Sequence, residues 1–380
     1  MKHFLQWTLA ALCGAGILIS WMPQDIAWHL FESSTLALAF LWILVWISGK
    51  VHAGFSWVLL LPLAVIAWGL LQLCNGWSVY PFATQLDILR WATWLSVFFV
   101  AFQIFESDED ARKFHIWFTA FAFAVSLLSI FQYAAPNGRI FWIFESKAVG
   151  FGPFLNRDHY ASFMALAIPM AFLQMVRDPH RALFFAVAAA TMYASVIMGA
   201  SRAGSALVSL ELALFLVQGF TTKSRALAMV LLVAVFVAVI GWQPLYKRFT
   251  INDPYAGRRE VATASIKMMQ ARPWTGFGLG TWTSVYPAYA EKDFGVFVNA
   301  AHNDWLQWGG EGGIPMLFCL FLLFSVSVWL AWKLPWGLGV PAVFLHCLID
   351  FPMQGRFLPA TLFLVFGILL RRAGSQKHGE

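Results

Sequence analysis

Residues 312–332, with the sequence GGIPMLFCLFLLFSVSVWLAW, form a run of 21 residues that contains no charged side chain. A helix needs ~20 mainly apolar residues to cross the hydrocarbon core of a bilayer. The composition agrees, because 60% of the 380 residues are hydrophobic and only 12% are charged. Soluble domains are about half apolar and a quarter charged, so the sequence predicts a membrane protein.

Apolar segments of comparable character recur along the whole chain. We read the first of them as a membrane helix, because no small-residue cleavage site of a signal peptide follows it. The sequence therefore predicts an all-α, polytopic membrane helical bundle with about twelve transmembrane helices, forming a single domain over residues 1–380. The predicted spans are residues 4–21, 35–48, 53–73, 90–105, 116–133, 160–176, 182–200, 205–220, 226–242, 312–332, 338–351 and 358–371.

The loop charges predict the orientation of this bundle. Lys and Arg favour the cytoplasmic side, and the C-terminal tail carries Arg371 and Arg372. With that tail in the cytoplasm, twelve spans place the N-terminus there too, and every short loop on that side carries a cation. The whole formal net charge of +6 then falls on the cytoplasmic side. The basic composition thus indicates topology and gives no reason to expect a nucleic-acid partner.

The longest polar stretch, residues 243–311, is too long for a simple connector and is predicted to be one large extracytoplasmic loop. Asp253–Pro254 has the residue types of an N-cap and first helical turn. We expect the helix to continue to about Ala271. Its apolar residues at helical spacing are Val261, Ala264 and Met268.

Turn-forming residues follow that helix. Pro273 is expected to end it, and Gly276, Gly278 and Gly280 indicate a turn-rich connector. These glycines do not follow a predicted strand, so a nucleotide-binding loop is not indicated. Asn299 is expected to cap a second short helix that carries His302.

Three of the predicted outer loops carry eleven Lys and Arg residues, against the usual preference. Arg202 lies in a four-residue turn between two apolar spans, where an arginine is costly unless it is paired or in a polar cavity. Arg258 and Arg259 present planar forks of donors that suit phosphate oxygens. A solvated helix face or contact with lipid headgroups would equally explain the presence of Arg258 and Arg259.

His302, followed by Asn303 and Asp304, is the candidate general base. An imidazole with a pKa near 6.5 can accept a proton from a hydroxyl at neutral pH. The alternative is a histidine that caps a helix or lies at the membrane interface.

Ionisable residues also fall inside predicted spans, namely Glu211, His346 and Asp350. Such residues are either functional or form internal ion pairs, and Asp350 is near enough to a helix end to pair with an outer arginine. The outer loops contain no Asp-x-Asp pair or carboxylate cluster, and the four cysteines contain no CxxC pair. We therefore expect no metal site and no cofactor.

Five stretches follow one another along the chain: Gly152–Ala161 with Asn156, Ser201–Gly204, Gly257–Arg258 with Arg272–Thr281, Ala301–Leu306 with Gly312–Pro315, and His346–Pro352. Together and in this order, they resemble the motifs of the O-antigen ligase/O-antigen polymerase (Wzy-like) superfamily of bacterial inner-membrane glycosyltransferases. The resemblance covers residues 150–355. One departure is that Arg157 and Asp158 stand where relatives often have a second asparagine.

The resemblance implies a GT-C-like bundle and a metal-independent, inverting glycosyltransferase whose donor is a glycan on undecaprenyl diphosphate. It implies that Arg202 and Arg258 bind the diphosphate and that His302 accepts the proton of the acceptor hydroxyl. With the orientation predicted from the loop charges, the active-site loop is expected in the periplasm and both termini in the cytoplasm. The residues expected to bind substrate are Arg259, Asn156, Arg157, Asn303, Asp304 and Asp350.

The acceptor is left open by the sequence. A ligase would transfer the glycan to the lipid A core, whereas a polymerase would transfer it to another lipid-linked glycan. The expected partners are these two substrates and membrane lipids. A different class, a membrane transporter, would show broken helices, inverted repeats and charges at the middle of the membrane. Here the charges cluster in one outer loop instead.

Overall fold

The computed structural model describes residues 2–22, 24–145, 150–219, 222–250 and 256–375. This part of the chain is a bundle of α-helices with one two-stranded hairpin, in which β1, Arg139–Ile140, pairs antiparallel with β2, Phe144–Glu145. The helices of the first half are α1 Lys2–Leu18, α2 Asp25–Ile47, α3 Leu60–Cys74, α4 Pro81–Ile104, α5 Asp108–Ala134, α6 Arg157–Arg177, α7 Ala182–Met198 and α8 Arg202–Val217. Those of the second half are α9 Lys223–Ile240, α10 Gln243–Phe249, α11 Ala256–Ala271, α12 Trp282–Val285, α13 Asp304–Lys333, α14 Gly339–His346 and α15 Phe357–Ser375.

Eight helices among the described residues are long and apolar enough to cross a membrane. A ninth span results if α9 and α10, which meet at an angle of 84°, are counted together. The predicted class, an all-α polytopic membrane bundle, is confirmed. Three predicted spans correspond to shorter helices: 4–21 is the 17-residue α1, 205–220 is the 16-residue α8, and 338–351 contains the 8-residue α14. Crossing the membrane takes ~17–25 residues, so α1 and α8 are at or just below the lower limit.

Other helices begin earlier than predicted. The fourth span begins at Pro81, nine residues before its predicted start, and α13 begins at Asp304, eight residues before its predicted start. The added turns contain charged side chains that the protein itself satisfies. Asp87, for example, accepts a hydrogen bond from Arg90 at 2.7 Å. Charges that would be costly in lipid are tolerated because they are paired inside the bundle.

The centre of the bundle consists of α6 and α15, whose side chains are almost all buried. α15 packs against α4, and α6 packs against α7. Aromatic rings fill the first of these interfaces: Phe363 lies 6.1 Å from both Trp91 and Trp94, measured between ring centroids. This packing fixes the positions at which α6 and α15 begin.

The long polar stretch has a small apolar core of its own. Val261, Ala264 and Met268 are buried on one face of α11, as their spacing predicts, and they pack with Trp282. α11 in turn packs against α13. The predicted N-cap at Asp253–Pro254 lies outside the described residues.

The glycine-rich connector joins this small core to the membrane bundle. Gly276, Gly278 and Gly280 all have positive φ, which confirms the predicted turn. A Cβ atom on Gly276 would lie 2.1 Å from the carbonyl oxygen of Glu311, so only glycine allows this close approach. Opposite the connector, α13 is broken at Gly313, where φ is +66°.

Candidate functional site

The start of α6 contributes to a polar cluster. Asn156 caps this helix, because its Oδ1 accepts a hydrogen bond from the backbone N–H of Asp158 at 2.8 Å. The Nδ2 of the same amide donates to Oδ1 of Asp350 at 3.1 Å. Asn156 therefore connects the start of α6 to the segment that follows α14.

Arg258, near the start of α11, binds that segment through two hydrogen bonds. Its Nη1 donates to the carbonyl oxygen of Ile349 at 2.7 Å, and its Nη2 donates to Oδ2 of Asp350 at 2.9 Å. Burial raises the pKa of Asp350 to about 6, and repulsion from Asp158 adds to this, while Arg258 opposes it. Asp350 thus pairs with an arginine of the long polar stretch.

Asp158 connects the starts of α6 and α8. Its Oδ1 accepts a hydrogen bond from Oγ of Ser201 at 2.5 Å, and Ser201 also caps α8 by accepting from the N–H of Gly204 at 2.9 Å. The buried His346 faces the same carboxylate, and its Nε2 is 3.8 Å from Oδ1 of Asp158. Its Nδ1 is 2.8 Å from Oγ of Ser162, so both ring nitrogens face polar atoms of α6.

Arg248 lies near this carboxylate and near three other arginines. Arg157, Arg202 and Arg258 are close enough to Arg248 for their charges to repel it, whereas Asp158 attracts it. The Nη1 of Arg202 lies 3.4 Å from the carbonyl oxygen of Arg248. The Nε of Arg248 is buried and has no hydrogen-bond partner within the described ranges. Sequence analysis did not single out Arg248, because it belongs to none of the motifs.

His302 has a φ of +52°, a left-handed backbone conformation that few residues other than glycine adopt. Its ring packs edge-to-face against Phe351, with 4.8 Å between centroids. The Nδ1 atom is buried without a hydrogen-bond partner in the described part of the chain. Burial, assisted by the charge of Arg258, lowers the pKa of His302 to about 4. The ring is therefore neutral at pH 7 and can accept a proton.

Asn303 fixes the backbone next to this histidine. Its Oδ1 accepts from the N–H of Leu306 at 3.0 Å and so caps α13, and its Nδ2 donates to the carbonyl oxygen of Leu348 at 2.7 Å. The predicted cap at Asn299 is wrong, because residues 299–303 are irregular and the helix begins only after Asn303. His302 therefore precedes the helix instead of lying on it.

Asp304 is fully buried and its carboxylate is fully engaged. One oxygen accepts from the backbone N–H of Met353 at 2.9 Å, and the other accepts from Nε2 of Gln354 at 2.8 Å. These hydrogen bonds connect the turn after α14 to Asp304, the first residue of α13. Arg259, by contrast, is exposed, whereas its neighbour Arg258 is half-buried.

Glu211 of α8 is buried, and neither of its carboxylate oxygens has a hydrogen-bond partner among the residues that the structure describes. It is therefore not the acidic half of an ion pair with any of them. Among the same residues, no group of three or more His, Cys, Asp or Glu side chains is arranged to hold a metal ion.

The fold and the cluster define a polytopic membrane protein in which arginines, histidines and buried carboxylates meet where α6, α8 and α13 begin. Residues 187–321 match the family model described as O-antigen ligase. This match supports the O-antigen ligase/polymerase superfamily as the family of the chain. A comparison with curated proteins finds no match.

The matched region contains Arg202, Arg258 and His302 but neither Asn156 nor Asp350. The structure nevertheless joins the two groups, since Asp350 binds Arg258 and Asn156 binds Asp350. The wider bounds that the sequence motifs suggest, 150–355, remain a prediction. At the coarse level the family implies a glycosyltransferase-type enzyme that acts on lipid-linked glycans in a membrane.

Proposed function

We propose that the protein is an O-antigen ligase-like glycosyltransferase of the bacterial inner membrane. It moves a glycan from undecaprenyl diphosphate to an acceptor hydroxyl, such as one on the lipid A core, during assembly of cell-surface polysaccharide. The main support is that Arg202, Arg258 and His302, far apart in the sequence, belong to one polar cluster in a membrane bundle.

The arginines would bind the leaving group. Breaking the bond between the sugar and the phosphate leaves negative charge on undecaprenyl diphosphate, and positioned cations stabilise that charge as it develops. Guanidinium groups bind phosphate oxygens through paired donors. Arg202 and Arg258 would make these contacts, with Arg248 adding positive charge. The arginines thereby supply the charge that a divalent metal ion supplies in other transferases.

His302 would act as the base. The oxygen of the acceptor hydroxyl attacks the anomeric carbon from the side opposite the diphosphate, and its proton passes to His302. One carbon–oxygen bond forms while the bond to the phosphate oxygen breaks, so the anomeric configuration inverts. The ring is neutral and half-buried beside Phe351, so it can accept this proton, and its lowered pKa makes it a weaker base than an exposed histidine.

The remaining predicted site residues would act on these groups or on substrate. Asn156 and Asp350 would orient Arg258, and Asn303 would hold the backbone of His302. The exposed Arg259 would contact substrate next to Arg258. Asp304 is proposed to position the turn after α14 and not to touch substrate, because its oxygens are already bonded within the protein.

A transfer assay tests this proposal. The full-length protein in nanodiscs would be given an undecaprenyl-diphosphate-linked glycan and lipid A core from a strain that lacks O-antigen. We expect glycan-bearing lipid A core, and equal product in the presence of EDTA. Product only from lipid-linked repeat units would instead identify a polymerase. Loss of activity that Mg²⁺ or Mn²⁺ restores would contradict the metal-independent mechanism.

A further inference from the structure

A cavity of about 900 Å³ opens next to the polar cluster. It is bounded by the end of α1, the end of α5, the segment before α6 and the segment that leads into α15. The size falls within the ~300–1,000 Å³ of ordinary small-molecule sites. Aromatic side chains, including Tyr133, Phe154 and Phe351, share its wall with polar groups such as Asn299 and Gln354. Flat apolar rings beside hydrogen-bonding groups suit the two kinds of surface that a sugar presents.

One wall of the cavity is shared with the proposed base. Phe351 lines the cavity, and the rings of both His302 and His159 pack edge-to-face on it, with centroid distances of 4.8 and 5.0 Å. A ligand in the cavity that reaches past Phe351 would therefore meet His302. Arg202, Arg248 and Arg258 do not line the cavity.

The cavity is cationic. Arg157 and Arg356 line it, and none of the described lining residues is acidic. Arg356 pairs with Asp25, but Arg157 makes no ion pair or hydrogen bond with any residue of the described ranges. The Nε2 of His159 is buried without a hydrogen-bond partner there and lies 4.0 Å from Oδ1 of Asp350. A ligand that carries a phosphate or carboxylate group would supply the missing partner for Arg157.

We propose that this cavity binds the acceptor, as an oligosaccharide that bears a phosphate or carboxylate group, and presents its hydroxyl to His302. The inference rests on the proposed function. The donor diphosphate would occupy the arginines at the starts of α8 and α11, so the two substrates would approach the base from different directions. Arg157, which borders both regions, would recognise the acidic group of the acceptor.

The test is to fill the cavity without disturbing the core. Leu155 lines the cavity and is 43% exposed, so Leu155→Trp can project into the space. Ile143→Trp is the matched control, because Ile143 is 67% exposed in the neighbouring hairpin and does not line the cavity. The probe is fluorescently labelled core oligosaccharide from O-antigen-free lipopolysaccharide, with labelled repeat-unit oligosaccharide as the second probe. Binding is measured by fluorescence polarisation on the full chain in nanodiscs, without donor.

We expect Leu155→Trp to weaken binding of one probe by about tenfold or more, and Ile143→Trp to leave it unchanged. Arg157→Gln should weaken binding of the phosphorylated probe but not of the same probe after phosphatase treatment. In the transfer assay, Leu155→Trp should raise KM for the acceptor and leave KM for the donor unchanged.

Equal binding by wild type and Leu155→Trp, or a raised donor KM, would overturn the acceptor site. Absence of binding of either probe to the wild-type protein would also overturn it. Binding that depends on Leu155 in a protein that transfers no glycan would contradict the proposed function while keeping the cavity as a glycan site.

Discussion

His302 carries the proposed chemistry, and its backbone conformation determines which substitutions test it. Asparagine tolerates the left-handed region better than most residues, so His302→Asn keeps the local structure but has no useful basicity. We expect His302→Asn, His302→Gln and His302→Ala all to lower turnover by about 10²–10⁴-fold, with donor binding nearly unchanged. Transfer per folded enzyme is the measurement. A glutamine or asparagine variant with near wild-type turnover would remove His302 as the base.

The lowered pKa of His302 predicts that transfer activity falls at low pH, where the ring becomes protonated. The base works only as the neutral ring, which predominates above a pKa of about 4. We expect protonation of His302 to make kcat/KM fall roughly tenfold per pH unit below about 4, because kcat/KM reports the free enzyme. The residual activity of His302→Asn should lack this fall. Protonation of Asp350, which orients Arg258 and has a pKa of about 6, should cause a separate change at higher pH. A decline near the ordinary histidine pKa that persists in His302→Asn belongs to Asp350, whereas one that His302→Asn lacks would show that the ring is not buried beside Arg258 in the working enzyme.

The geometry of Arg258 predicts that charge alone does not suffice at this position. The side chain donates to Ile349 and Asp350 through different nitrogens, which a lysine cannot reproduce. We expect Arg258→Lys and Arg202→Lys each to lower transfer by about 10²-fold at normal protein level. Arg259→Lys should have a smaller effect.

Arg139→Lys is the control for this series, because Arg139 pairs with Glu145 in the hairpin and should transfer normally as lysine. Normal transfer by Arg258→Lys, or a larger loss in Arg259→Lys, would reassign the diphosphate ligand.

Sequence reasoning found most residues of the cluster because they lie in short motifs that the family shares. Of the contacts between these residues, only the pairing of Asp350 with an outer arginine was predicted, and in the structure that arginine is Arg258. Asp158 was noticed only as a departure from the family pattern, yet it accepts a hydrogen bond from Ser201 and faces His346. Arg248 was not noticed at all. Both act through partners more than forty residues away, and spacing along one chain carries no information about such contacts.

At the scale of elements, hydropathy located the apolar centres of the helices but not their starts. A helix can begin with charged residues when these form ion pairs within the protein, as Asp87 does with Arg90. Whether such a pair forms depends on the folded bundle and cannot be predicted from hydropathy. The predicted span began at residue 312, next to the break in α13 at Gly313, but hydropathy did not show that the turns before the break belong to the same helix. After the break, the N–H of Ile314 donates to the carbonyl oxygen of Pro273 at 2.8 Å. Broken helices are a feature of transporters, but here the free backbone group is bonded to the connector and does not line an open path.

The connector makes a prediction about stability. Gly276 and Gly295 both have φ near +65°, but a Cβ atom on Gly276 would strike the backbone of Glu311, whereas Gly295 has open space around it. Gly276→Ala should therefore lower the free energy of unfolding by about 1–3 kcal/mol more than Gly295→Ala, which introduces only the strain of a positive φ. Thermal unfolding in detergent is the measurement. Equal melting temperatures would show that the connector does not press against α13.

At the scale of the whole molecule, ion pairs place the two ends of the described chain together. Lys2 lies 3.1 Å from Glu106, and Arg371 lies 3.2 Å from the same carboxylate, in the turn between α4 and α5. α15 runs from Phe357, which lines the cavity, to this turn. Its 19 residues span ~28 Å at ~1.5 Å per residue, about the thickness of the hydrocarbon core. The two ends of the described chain therefore lie at the opposite end of the bundle from the polar cluster.

Because the two ends of the bundle lie on opposite sides of the membrane, finding the side on which either end lies determines the orientation of the whole protein. The positive-inside pattern predicts cytoplasmic termini and a periplasmic cluster. Asp293→Cys reports on the cluster end, in a Cys74→Ala background because Cys74 is exposed. Lys113→Cys reports on the end with the termini. Both substituted side chains are exposed, so accessibility to a thiol reagent depends on the side of the membrane.

We expect an impermeant maleimide, applied after the outer membrane is made permeable, to label position 293 at once. Position 113 should react only after the inner membrane is opened. The reverse pattern would place His302 and its arginines in the cytoplasm and would make the loop cations follow the positive-inside preference that they now break. Labelling of both positions in intact inner membranes would contradict the bundle itself, because the length of α15 would then not separate two aqueous compartments.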